Sequence, residues 1–68
     1  MTREEERELL LELERLKQEH RDLDSAIEAL LASAGHDRLQ VQRLKKRKLQ
    51  LRDRVSDIED QLFPDIIA

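Results

Sequence analysis

Seam positions recur along the first half of the chain at Leu9, Leu13, Leu16, His20, Leu23, Ile27, Leu30 and Ala34, in alternating steps of four and three, with only His20 polar. This spacing holds one narrow stripe on one face of an α-helix, the a/d seam of a coiled coil. Leu9, Leu16, Leu23 and Leu30 take d positions; Leu13, His20, Ile27 and Ala34 take a positions. A second run, Val41, Leu44, Lys48, Leu51, Val55, Ile58 and Leu62, repeats the seam with only Lys48 polar. Between them, Ser33-Ala34-Gly35-His36-Asp37 breaks the pattern, and its glycine suits the left-handed conformation that ends a helix.

End signals agree with these periods. Thr2 followed by Glu5 predicts a capping box, and Glu4, Glu5 and Glu6 lie where the helix dipole favours negative charge. Asp37 with Gln40 predicts a second box, and Pro64 should stop the second helix near Phe63. The prediction is a first helix over about 2–33, a turn at 34–37, a second helix over 38–63 and an apolar tail at 64–68, which should dock rather than float free. Two helices of similar length with a short connection must lie antiparallel. The expected fold is all-α: an antiparallel two-helix hairpin, coiled-coil-like, associating into a helical bundle.

Placing Ile27 level with Leu44 makes every layer pair an a with a d: Leu30 with Val41, Leu23 with Lys48, His20 with Leu51, Leu16 with Val55, Leu13 with Ile58, and Leu9 with Leu62. The flanking e and g positions then predict Asp24 near Lys45, Glu19 near Arg54, and Lys17 in diagonal reach of Glu59. Residues 1–34 hold ten acids and five bases, and residues 35–68 six acids and eight bases. The halves are thus −5 and +2, which make up the net charge of −3, and they attract weakly. Exposed ion pairs contribute little stability. Leucine burial, at about 1.5–3 kcal/mol per side chain, must carry the fold.

At 68 residues the chain is one domain at most, and a core of this size usually needs help from disulfides, metals or partner chains. There is no cysteine and there are only two histidines, so partner chains remain. Charged residues make up 43% and aromatics 1%, the bias of long helices rather than of a disordered chain, because the apolar positions are periodic. The start carries no apolar signal-peptide core and no apolar run approaches a membrane span, so a soluble, cytoplasmic protein with no membrane partner is expected.

Candidate chemistry is sparse. His20 and Lys48 interrupt the seam near its middle, and with Asp24 they form a polar core layer in which Lys48 snorkels toward the rim and Asp24. Polar groups at a positions fix register and oligomer state at some cost in stability. His20 with Asp24 falls short of a metal site, and no cofactor is expected. No glycine-rich phosphate loop, no cysteine and no partnered serine is present, the carboxylates lie on exposed faces, and a hairpin offers no deep pocket; an enzyme is not expected.

The run Arg43–Arg54 holds seven basic residues against one acid. It invites a nucleic-acid reading, but there are no interleaved aromatics for base stacking and part of the run faces the first helix. Arg43, Lys46, Arg47 and Arg52 are left as a candidate basic surface. A second set of apolar residues, Leu10, Leu31, Leu49, Phe63, Ile66 and Ile67, with Leu11, exceeds what one hairpin can cover and forms a candidate partner surface.

The segments His20-Arg21-Asp22-Leu23-Asp24 continuing to Ile27, and Leu44-Lys45-Lys46-Arg47-Lys48-Leu49-Gln50-Leu51-Arg52-Asp53, resemble the YdcH-like family of small bacterial proteins of unknown function. The resemblance covers residues 16–68 well and 1–15 poorly, with Arg52 where Lys is more usual. It implies a cytoplasmic helical hairpin with no established activity, and it singles out His20, Asp24, Lys45, Lys48 and Asp53. The function expected is a non-enzymatic protein–protein interaction or assembly module, a dimer or higher homo-oligomer with room for another protein partner. The alternative is a weak, non-specific nucleic-acid-binding accessory protein using Arg43–Arg54.

Overall fold

The computed structural model describes residues 1–64 as two long α-helices, α1 (Arg3–Ala32) and α2 (Arg38–Leu62), packed along their length as an all-α hairpin. Its extents are 50 × 24 × 15 Å, the form of a two-helix rod. Ile66 and Ile67 of the expected partner surface, and the docking of the tail, lie outside the described residues.

Each helix begins on a side-chain cap. Thr2 Oγ1 accepts from the Glu5 amide at 3.1 Å, and Asp37 accepts from the Leu39 amide at 2.9 Å. The full capping boxes do not form. Glu5 takes a bond from the Thr2 hydroxyl at 3.1 Å instead of reaching the cap amide, and Gln40 makes no return bond among the described residues. The hydroxyl can donate and accept at once, so a close Glu5 carboxylate finds it first.

α1 ends where Ser33 adopts an extended backbone and its amide bonds the Leu30 carbonyl at 3.1 Å. Gly35 follows at φ +72°, a left-handed conformation that a side chain disfavours, and His36 Nδ1 lies 3.1 Å from the Ser33 carbonyl. α2 stops at Phe63, whose non-helical backbone accommodates Pro64 while its amide still bonds the Glu59 carbonyl at 2.8 Å.

The two seams become the core. Leu13, Leu16, Leu51 and Ile58 form one buried cluster, with Leu9, Leu23, Val55 and Leu62 packed against it. Ile27 and Val41 are buried nearer the turn. No charged or polar residue is fully buried among the described residues. None of the described helices is long and apolar enough to cross a membrane.

Candidate functional site

The polar break in the seam lies at His20 and Lys48, level with Leu51 and Leu23 at the turn-side end of the cluster. Lys48 stands at an a position with its stem half-buried, and its ammonium reaches out to the Asp24 carboxylate on α1. The hydrogen bond from Lys48, and then its charge, hold the Asp24 carboxyl below its ordinary value of 3.8, with His20 adding a smaller pull. His20, also half-buried, makes no hydrogen bond to a protein group among the described residues.

The other cross-helix pairs occupy the two flanks of the seam. On one flank, Arg54 forks onto Glu12 at 3.2 and 3.4 Å, and Arg47 meets Glu19 at 3.6 Å. On the opposite flank, Lys17 lies 3.9 Å from Glu59. In the register that sets His20 level with Leu51, each of these partners is offset by the same interval from the residue directly opposite, toward the turn on the first flank and toward the open end on the second.

Two expected pairs are therefore replaced. Asp24 meets Lys48 rather than Lys45, because the seam lysine must bring its charge out to solvent and Asp24 stands at the exit. Arg54 meets Glu12 rather than Glu19, because Asp57, one turn later on α2, draws its guanidinium toward the open end with a 2.9 Å bond. Glu12, through its bonds and then its charge, raises the Arg54 pKa further. Glu19 is left to Arg47 across the gap and to Arg15 on its own helix at 3.6 Å.

The expected basic surface divides between two sides of α2. Arg43, Lys46 and Arg47 share one face of α2 at i, i+3 and i+4 spacing, with Arg47 engaged by Glu19, while Arg52 lies on the opposite side, 4.0 Å from Asp53. A second set of bases converges across the two helices. One cleft of about 170 Å³ is lined by Lys17, His20, Arg21, Arg52 and Val55. An adjoining cleft of about 300 Å³ is lined by His20, Lys45, Lys48, Leu49 and Arg52. Because they share His20 and Arg52, they form one open groove across the polar layer. Lys17 and Arg21 belong to the acidic half of the chain, so no basic run announces them. The usable signal was positional: Lys17, Lys45 and Arg52 are e residues of two antiparallel helices, and e positions of such a pair share a flank.

The apolar residues outside the seam stay on the surface. Leu10, Leu31, Leu49 and Phe63 are exposed, as are Leu11 at 65% and Leu39 at 53%. Leu39 was missed because it opens α2 without falling in a seam. Among the described residues, no group of three His, Cys, Asp or Glu side chains could hold a metal ion.

No curated protein matches the chain, and no solved structure does. A family model described as "Protein of unknown function (DUF465)" matches residues 13–59, which takes in most of both seams, the turn, the polar layer and the groove. The chain thus belongs to the DUF465 family, which includes the YdcH-like small bacterial proteins of unknown function.

Proposed function

We propose that the chain is a non-enzymatic assembly module that associates with itself through its outer apolar residues. The observation that carries this reading is the exposure of Leu10, Leu11, Leu31, Leu39, Leu49 and Phe63, between 42% and 65% each, on a hairpin whose single seam is already filled. Leu10, Leu11 and Phe63 stand toward the open end, Leu31 and Leu39 flank the turn, and Leu49 lies between. Apolar surface at both ends of a rod suits a two-fold antiparallel pair of hairpins, in which each open end covers the partner's turn. Partner chains are also what a domain this small needs to gain stability.

Sedimentation equilibrium at micromolar concentration tests the proposal. A dimer or larger bundle is expected, with Leu10→Glu and Leu31→Glu shifting it toward monomer; a strict monomer at every concentration refutes it. Weak nucleic-acid binding through Arg43–Arg54 is the lesser reading, since Arg47 and Arg54 are engaged by Glu19 and Glu12 and Lys45, Lys48 and Arg52 lie on the other side of α2. Its signature would be DNA or RNA binding at low salt that weakens as salt rises.

A further inference from the structure

We propose that the groove across the polar layer is a binding site for a short oligophosphate, of the pyrophosphate or tripolyphosphate class, seated over His20 and Arg52. Five cationic side chains, Lys17, Arg21, Lys45, Lys48 and Arg52, line its two clefts. Only two carboxylates pair with them across the helices, Asp24 with Lys48 and Glu59 with Lys17. Arg21 and Lys45 have no ion pair among the described residues, and the carboxylate nearest Arg52 is its own neighbour Asp53 at 4.0 Å. Positive charge left over in a cleft with apolar walls, here Val55 and Leu49, concentrates its field on an incoming anion.

The two residues common to both clefts have the donors that phosphoryl oxygens need. Arg52 offers a planar fork matched to phosphate. The His20 imidazole carries at least one N–H in either tautomer and spends it on no protein acceptor among the described residues. A phosphoryl group on one side of this pair meets Lys17 and Arg21; a group on the other meets Lys45 and Lys48.

The extent of the groove selects a short ligand. The α1 bases span one helical turn and the α2 bases two, which is on the order of 10 Å at the helical rise per residue. On the same flank the heptad then places Glu14 and Glu59 toward the open end and Glu28 toward the turn, while Asp24 lies within the groove's span, bonded to Lys48. A long polyanion would run its next phosphates onto Glu14, Glu59 and Glu28. A short chain ends before them.

Amide NMR titrations of the full chain at low ionic strength test the assignment, with sodium tripolyphosphate, sodium phosphate and a single-stranded DNA oligonucleotide in parallel. Tripolyphosphate should shift residues 17–24 and 45–55 together with the His20 ring. It should bind at least about tenfold more tightly than orthophosphate, since it fills both clefts. Arg52→Gln and Lys45→Gln should each weaken it by about tenfold, the loss expected for a hydrogen bond to a charged group. Arg43→Gln and Lys46→Gln remove the same charge elsewhere on α2 and should change affinity by about twofold or less once salt screens the longer distance. All four side chains are exposed, so circular dichroism should show an unchanged hairpin. The proposal is overturned by the absence of shifts at millimolar tripolyphosphate, by equal losses in the two pairs of variants, or by orthophosphate binding as tightly. DNA binding that spreads shifts to Arg43 and Lys46 overturns it in favour of a polymer track.

Discussion

Asp24 illustrates how a single seam residue rearranges its neighbours. Once Lys48 is placed at an a position its charge must leave the core, and the carboxylate at the exit is drawn into a bond that lowers its pKa below 3.8. A group whose folded pKa is depressed contributes stability above its unfolded value and loses it as pH falls through the folded value. Wild type should therefore melt above Asp24→Asn at neutral pH, and the two should converge as pH is taken below 3.8. Thermal melts across that range check this, and a gap that persists into acid would mean the charge is not the cause.

His20 is the opposite case, a polar ring in the seam that no protein group engages among the described residues. His20→Leu should make the seam continuous and raise the melting temperature, by about 4–8 °C for each kcal/mol gained. It should also broaden the oligomer distribution, and a clear loss of stability would count against a register-setting role. The Lys48 contact could be foreseen from its heptad position. The partners of Arg54 and Glu19 could not, because register fixes which flank a side chain occupies but not which way along the flank it turns.

At the level of the helices nearly everything was visible in the spacing. Steps of three and four name the buried faces outright, and the only glycine marks the turn. The capping boxes were readable in part: Thr2 and Asp37 cap as their positions suggest, while the return bonds of Glu5 and Gln40 depend on side-chain choices that spacing does not dictate. Gly35 offers a sharp test of the turn. A Cβ there would meet no atom within 4 Å, so any cost of Gly35→Ala comes from its φ of +72° alone. That cost should be on the order of 1 kcal/mol, read as a lower urea midpoint with an unchanged slope.

Across the whole molecule the fold rests on one thin core. Ile58 is 0% exposed within the buried apolar cluster, and Ile58→Ala should cost about 2–5 kcal/mol, enough to leave so small a domain largely unfolded by circular dichroism. If the hairpins assemble as proposed, the wild-type melting temperature should rise with protein concentration, as mass action requires. The groove was the part least open to a reading along the chain, since it comes into being only when Lys17 and Arg21 of α1 face Lys45 and Arg52 of α2. Runs of like residues advertise themselves in a sequence; residues brought together by antiparallel packing do not.

The polar layer also divides the rod into two units of unequal protection. The cluster of Leu13, Leu16, Leu51 and Ile58 reaches from the open end to the polar layer, and Ile27 and Val41 are buried toward the turn outside it. At His20 and Lys48 the apolar contact thins to Leu51 and Leu23, so the turn-side unit should open while the other stays closed. Amide hydrogen exchange should resolve two tiers, with the residues near Val41 exchanging ahead of those near Ile58, and His20→Leu should merge them into one cooperative transition.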